Sequence, residues 1–219
     1  MSAEIREIAL FTSVAALVAT AVMLVPGVAV AWLLARRRFP GKAVVETLVS
    51  LPLVMPPVAT GLLLLWLLGR RGPIGRLLEP AGIEIVFTPA AVVIAMAIMG
   101  LPLLVRTARA GFEQVTRRYE QIAETLGARP WRVFTTVTLP LASRNILAGA
   151  LLGFTRALGE FGATIVVAGS IPGRTRTLAV GIYSFTETGQ DEQAAVLLAI
   201  SIALAFGAVL VANRLARVE

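Results

Sequence analysis

Arg156 and Glu160 stand four residues apart in a stretch, Asn145–Pro172, that carries no other charge. At that spacing they share one helix face and can pair. Charges inside an apolar span are costly and usually face a protein interior or a watery path. Two roles are therefore open. Arg156 lies beside an anion route, with Glu160 and the Thr164 hydroxyl near it, or the two charges lock helices together. Other chemistry is thinly supplied. The chain has no Cys and no His, which removes disulfides, thiolate nucleophiles, the commonest general base and the commonest metal ligand. No catalytic, cofactor-binding or metal-binding residue is assigned. Gly41-Lys42 is followed by Ala43 and lacks the upstream glycine of a Walker A loop, so no nucleotide site is expected here.

The composition names the solvent that surrounds these residues. Of 219 residues, 57% are hydrophobic and 15% charged, and the mean hydropathy is +0.83. A water-soluble domain carries roughly 25% charged residues, so this chain cannot cover itself in water and a lipid bilayer is its expected partner. The formal charge of +7 does not point to nucleic acid, because the basic residues sit between apolar runs rather than in one patch. Residues 1–7 contain Glu4, Arg6 and Glu7, which is no basic leader. The following apolar run is longer than the roughly 7–15 residues of a signal-peptide core, and it reads as an uncleaved first span.

A helix needs about 20 apolar residues to cross the hydrocarbon core. Five stretches qualify: Ile8–Ala35, Thr47–Gly69, Ile85–Val105, Asn145–Pro172 (crossing over about 145–170) and Gln193–Asn213. The expected fold is all-α, a polytopic membrane protein of five transmembrane helices within one domain, 8–214. Prolines inside the spans (Pro26, Pro52, Pro56, Pro57, Pro89, Pro102) are tolerated where neighbouring helices satisfy the freed backbone groups. Lys and Arg in short loops mark the cytoplasmic side. One set comprises Arg36, Arg37, Arg38, Lys42, then Arg106, Arg109, Arg117, Arg118, Arg129, Arg132 and Arg144, then Arg214 and Arg217. On the other face Arg6, Arg70, Arg71, Arg76, Arg174 and Arg176 are diluted by Glu79, Glu84, Glu187, Asp191 and Glu192. The N-terminus is expected outside and the C-terminus in the cytoplasm. Trp32, Trp66 and Trp131 fit interface anchoring and loop packing.

The loop between the third and fourth spans carries most of the cytoplasmic charge. Val115, Tyr119, Ile122, Ala123 and Leu126 recur at helical spacing, Gly127 suits the residue just past a helix end, and Pro130 suits the start of a second short helix. Over 113–140 this predicts a compact exposed knob, or else an amphipathic helix lying on the headgroups.

Glu120-Gln121-Ile122-Ala123-Glu124-Thr125-Leu126-Gly127, followed at the proper distance by Val137, Leu139 and Pro140, resembles the EAA loop of ABC importer permeases. The departures are Gln121 and Ile122 in place of Glu and Ala, with Glu120 one position early. Further stretches resemble molybdate permeases of the type I ABC importer class: Arg37 to Lys42, Leu51 to Pro57, Gly69 to Gly75, Leu158 to Ile165 and Ile171 to Thr177. Sulfate permeases resemble the Gly159-to-Ala163 stretch too, but tend to be longer, with an added leading helix.

The resemblance implies a permease subunit of an inner-membrane importer that moves molybdate inward. ATP and Mg would be bound by a separate ABC ATPase, present in two copies, and no cofactor by this chain. The EAA loop would dock that ATPase through Tyr119, Glu120, Ile122, Ala123, Leu126, Gly127, Leu139 and Pro140. A single knob per chain implies a homodimer. Gly149 and Gly153, spaced as small residues four apart, would serve either that interface or packing within one subunit. Arg174 and Arg176 would meet an extracytoplasmic molybdate-binding protein, or are solvated surface. A secondary anion transporter or channel is the alternative of another class, although it would usually use more intramembrane carboxylates than Glu160 alone. Tungstate or sulfate is the alternative cargo.

Overall fold

A computed structural model describes residues 3–217. The first two of residues 1–7, and the side chains of Asn213 and Arg217 used in the reading above, lie outside the described residues. The described residues form helices joined by irregular segments, with no strand among them. The first helix, α1 (Ala3–Arg36), buries Ile8, Thr12, Ala15, Ala19, Met23, Gly27, Ala31 and Leu34. These recur every three or four residues, one stripe along one face. Leu10, Val14, Leu17 and Val25 on the opposite side are exposed and suited to lipid.

The second expected span, Thr47–Gly69, is not one helix. It divides into α2 (Lys42–Val54) and α3 (Pro57–Leu68), and the chain bends by 116° between Lys42–Val54 and Pro57–Ala81. Met55 and Pro56 are extended, with ψ of 145° and 132°. Each precedes a proline, whose ring disfavours the helical conformation in the residue before it. Among the described residues four continuous helices are thus long and apolar enough to cross a membrane, five when the bent pair counts as one span. Short α4 (Pro73–Leu78) and a 3₁₀ turn (Glu79–Ala81) follow.

The third span is displaced from its expected bounds of 85–105. Helix α5 (Pro89–Gln114) starts at Pro89 and continues nine residues past Val105, carrying Arg106, Arg109 and Glu113 beyond the apolar run. Arg109 there pairs with Glu113 at 2.7 Å and with Glu46 of α2 at 2.8 Å. After α6 (Arg117–Thr125) comes α7 (Pro130–Val133). The expected second short helix does not stop. Through a π-helical turn, Phe134–Thr138, it runs into α8 (Leu139–Leu158), making one helix from Pro130 to Leu158. Pro140 accounts for the wide turn: it lacks the N–H owed to the carbonyl four residues back, and its ring crowds that carbonyl.

The fourth span therefore ends at Leu158, well short of Pro172. Beyond it lie α9 (Gly162–Val167), an irregular segment, α10 (Leu178–Glu187) and α11 (Asp191–Arg217). Helix α10 had no counterpart in the sequence reading. Its start is fixed by the Leu178 N–H, which donates to the Thr12 hydroxyl of α1 at 2.9 Å.

Helix α5 lies at the centre, against α1 and α8. A Cβ on Gly100 would fall 2.8 Å from the Gly153 carbonyl oxygen and 3.1 Å from Met23 Sδ. One on Gly149 would fall 3.0 Å from the Leu104 carbonyl oxygen. Gly149 and Gly153 thus pack within the subunit, of the two roles open to them. Lipid tails are as apolar as leucine, so helices associate through such close contacts rather than through water exclusion.

These contacts rank two substitutions. Gly100→Ala presses on backbone and should lower the melting temperature in detergent by several degrees, reflecting roughly 1–3 kcal/mol of overpacking. Gly153→Ala chiefly meets Met23 Cε, the free end of a flexible side chain, and should cost less. Thermal unfolding with the order reversed would contradict the packing described.

Candidate functional site: an exposed helical knob and a buried ion pair

At one end of the helices, α5 gives way at Val115 and Thr116 to α6. Among its described residues α6 has none buried. Tyr119, Ile122 and Leu126 are exposed, Leu126 to 83%, and Ala123 is half-buried. Large apolar side chains on a charged helix, left in the open, make a surface suited to a partner. Val115, grouped with them by spacing, is instead buried in the core.

The end of α6 is sharply defined. Gly127 has φ of 84°, its N–H donates to the Glu124 carbonyl at 2.9 Å, and the Ala128 N–H donates to the Ala123 carbonyl at 3.0 Å. This pair of bonds is a Schellman cap, which needs a residue in the left-handed region. Arg129 is then extended ahead of Pro130. Trp131 is exposed and lies 5.7 Å from the Phe134 ring, which in turn sits 5.6 Å from Trp32 of α1. Leu139 packs on the core and Pro140 is exposed.

Glu120 faces the other way from its neighbours. Its Oε1 accepts from Arg36 Nη2 at 3.0 Å and from the Thr138 hydroxyl at 2.6 Å. The same Arg36 nitrogen donates to the Val115 carbonyl at 2.9 Å. The sequence marks Arg36 only as one orienting charge and gives Thr138 no role. Arg36 and Glu120 are 84 positions apart, so no local pattern announces the contact.

The second constellation lies where α8 breaks. Arg156 Nη1 and Glu160 Oε2 are 2.8 Å apart, and the Glu160 side chain is 1% exposed. Glu160 does not share the helix of Arg156, contrary to the spacing argument, because α8 ends at Leu158. Its other oxygen accepts the Ala163 N–H at 2.7 Å, satisfying a donor in the first turn of α9. Thr164 is fully buried and its hydroxyl donates to the Phe161 carbonyl at 2.9 Å. The Thr60 hydroxyl on α3 is buried, with no hydrogen-bond partner among the described residues. The two breaks lie against each other. A Cβ on Gly162 would approach Pro57 Cβ to 2.7 Å, and one on Gly61 would approach the Ala163 backbone to 2.8 Å.

At the far end, Arg174 is exposed, but Arg176 is not the free surface charge one reading allowed. It donates to Glu4 Oε1 at 2.9 Å and to Ser170 Oγ at 3.1 Å, and lies over the Phe185 ring. Arg70 pairs with Glu84 beside it.

Comparison with known proteins places this architecture. Residues 27–217 match the family model described as binding-protein-dependent transport system inner membrane component. The molybdenum transport system permease protein ModB of Escherichia coli K12 is 49% identical over 195 residues, spanning 88% of this chain and 85% of that protein. That of Haemophilus influenzae is 45% identical, spanning 86% and 83%. The sulfate transport system permease protein CysT of Escherichia coli K12 is 38% identical, spanning 82% and 66%. In fold, the chain is similar to a bacterial alginate ABC transporter crystallised with an alginate pentasaccharide-bound periplasmic protein, with a TM-score of 0.74, 17% identity and coverage of 99% and 80%. It is also similar to an amino acid ABC transporter, with a TM-score of 0.66, 19% identity and coverage of 96% and 91%. With a family model covering all but the first 26 and last two residues, this chain belongs to the family of binding-protein-dependent transport system inner membrane components.

Proposed function

We propose that this protein is the permease subunit of a molybdate importer, driven by ATP hydrolysis on a separate ABC ATPase. The observation that carries the coupling half of this reading is the outward apolar face of α6, Tyr119, Ile122 and Leu126, on a helix with no described residue buried. It offers anchors for a groove on the ATPase, a helix-in-groove contact. ATP and Mg belong to that partner. Two ATPase subunits closing on one another would draw two knobs together, so two copies of this chain would assemble about a twofold axis. The lipid-suited faces of α2 and α11 leave room for that contact. Displacement of the knobs would then carry the spans as rigid bodies and alternate access to a central path.

The Lys and Arg excess supports a topology with the knob end in the cytoplasm and the N-terminus outside. At the outer end, the exposed Pro172-Gly173-Arg174 tip would meet an extracytoplasmic binding protein, on a segment held firm by Arg176 and Thr175. Within the membrane the Arg156–Glu160 pair serves first as a lock on the break between α8 and α9. The guanidinium N–H groups of Arg156 that Glu160 does not engage remain for a passing anion.

Cargo identity rests on the 45–49% identity to molybdenum permeases over most of the chain, against 38% for the sulfate relative. The spans offer too few placed donors to discriminate among similar dianions, since that takes several polar groups in fixed positions. Selectivity would reside mainly in the binding protein, with tungstate accepted as a near-isostere.

Three measurements test these points. Leu126→Arg alters a side chain that makes little contact within the chain, so expression and melting should hold while ATPase co-purification falls at least about tenfold, as for a charge forced into an apolar contact. Undiminished co-purification would refute docking through α6. Reporters fused to the termini should score the N-terminus outside and the C-terminus inside, and finding both on one side would refute the topology. In vesicles with the matched binding protein, molybdate should be taken up and tungstate should compete. Uptake of sulfate with no response to molybdate would favour the sulfate reading and leave the permease assignment standing.

A further inference from the structure

We infer that Arg36 is a positioning residue for transport: its guanidinium registers α6 to α1, α5 and α8, so that knob displacement moves all three. The inference rests on the reading of α6 as the ATPase-docking element. Apolar packing does little to tie α6 to the spans, since none of its described residues is buried. Of the covalent connections, 126–129 is fixed locally by the Schellman cap at Gly127, while 115–116 is a short irregular segment that by itself leaves the angle of α6 to α5 open. The polar contacts remove that freedom. Arg36 closes α1; its Nη2 reaches the Val115 carbonyl just past the C-terminus of α5, at 2.9 Å, and Glu120 of α6, at 3.0 Å. The Glu120 oxygen that receives it also takes the Thr138 hydroxyl at 2.6 Å. Thr138 belongs to the π-helical turn that leads into α8. One guanidinium and one carboxylate therefore join the ends of three long helices to the knob.

The site is sheltered enough for this to count. The Arg36 and Glu120 side chains are 10% and 18% exposed, so solvent screening is weak compared with an ordinary surface pair. A cation at the α5 carbonyl end also meets the negative end of the helix dipole. The one-position shift of the acid has a geometric meaning. Neighbouring helix positions differ by about 100°, and Gln121, where the EAA pattern has its acid, is exposed. At 120 the carboxylate turns inward to Arg36 instead. Outward residues meet the partner, and Glu120 carries the motion inward.

The test uses the complete complex of permease, ATPase and binding protein in vesicles, and reads molybdate imported per ATP hydrolysed. Arg36→Gln should leave the ATPase bound, because the outward face of α6 is untouched, while the coupling ratio falls roughly fivefold or more, the scale of losing one charge-assisted bond. Arg36→Lys, which restores the charge, should recover much of that ratio. Thr138→Val, a milder change that removes a single hydrogen bond, should give a smaller fall. Arg36→Gln combined with Glu120→Gln should be no worse than Arg36→Gln alone, the non-additivity expected of partners in one contact. A coupling ratio within twofold of the parent for both Arg36→Gln and Thr138→Val, with ATPase bound, would overturn the inference. So would strictly additive losses in the double variant. Failure of the underlying docking reading would appear elsewhere, as normal ATPase binding by Leu126→Arg.

Discussion

Where Gly100 of α5 faces the Gly153 carbonyl of α8, a side chain on Gly100 would press on backbone. Met23 of α1 closes the same contact from the third side, and Gly149 repeats the close approach one turn along α8 against Leu104. Inside a bilayer this is how helices gain from meeting, because backbones near one another exchange many van der Waals contacts that lipid tails would not supply as densely. The remainder of the subunit is arranged around that three-helix seam. Helix α5 is central because its small residues, Ala91, Ala95, Gly100 and Ala108, let both neighbours approach.

The two interrupted stretches obey a second constraint. Non-helical backbone at membrane depth survives only where its polar groups find partners within protein. The break at Met55 and Pro56 sheds one donor outright, since Pro56 has no N–H, and the Met55 N–H still reaches the Leu51 carbonyl at 3.0 Å. The break at 159–161 is satisfied by Glu160, which takes the Ala163 N–H and is itself neutralised by Arg156. Small residues then let the two interruptions nest, Gly61 on Ala163 and Gly162 on Pro57. The buried charge pair is thereby tied to the shape of the chain at this depth.

The knob combines an unpacked exterior with a well-determined conformation. Its apolar side chains are free because the helix is held by other means: a Schellman cap at Gly127, a proline-started helix after it, and the Glu120 contacts beneath. In the proposed coupling role the helix would need to be stiff enough to transmit displacement and open enough to be gripped. The division of α6 into an outward apolar face and an inward carboxylate suits both demands.

Local features were legible in the sequence for reasons that are themselves local. Long apolar runs announce spans because the thickness of hydrocarbon sets their length. Gly127 announced its left-handed turn because a Cβ would oppose that conformation, and Pro130 announced a helix start because its missing N–H costs nothing there. Family membership was legible in the register of Gly127, Leu139 and Pro140. Tertiary structure alone decided which face of each span turns inward, since helices that are apolar all round carry no hydropathic record of it and only the positions of small residues matter. It also decided that Thr47–Gly69 is bent, that α8 stops at Leu158 so that Glu160 caps a new helix, and that Arg176 is a tie rather than a free charge. Above all it decided that Arg36 meets Glu120. A pairing across 84 positions depends on two helix ends arriving at one place, and no spacing along the chain encodes that arrival.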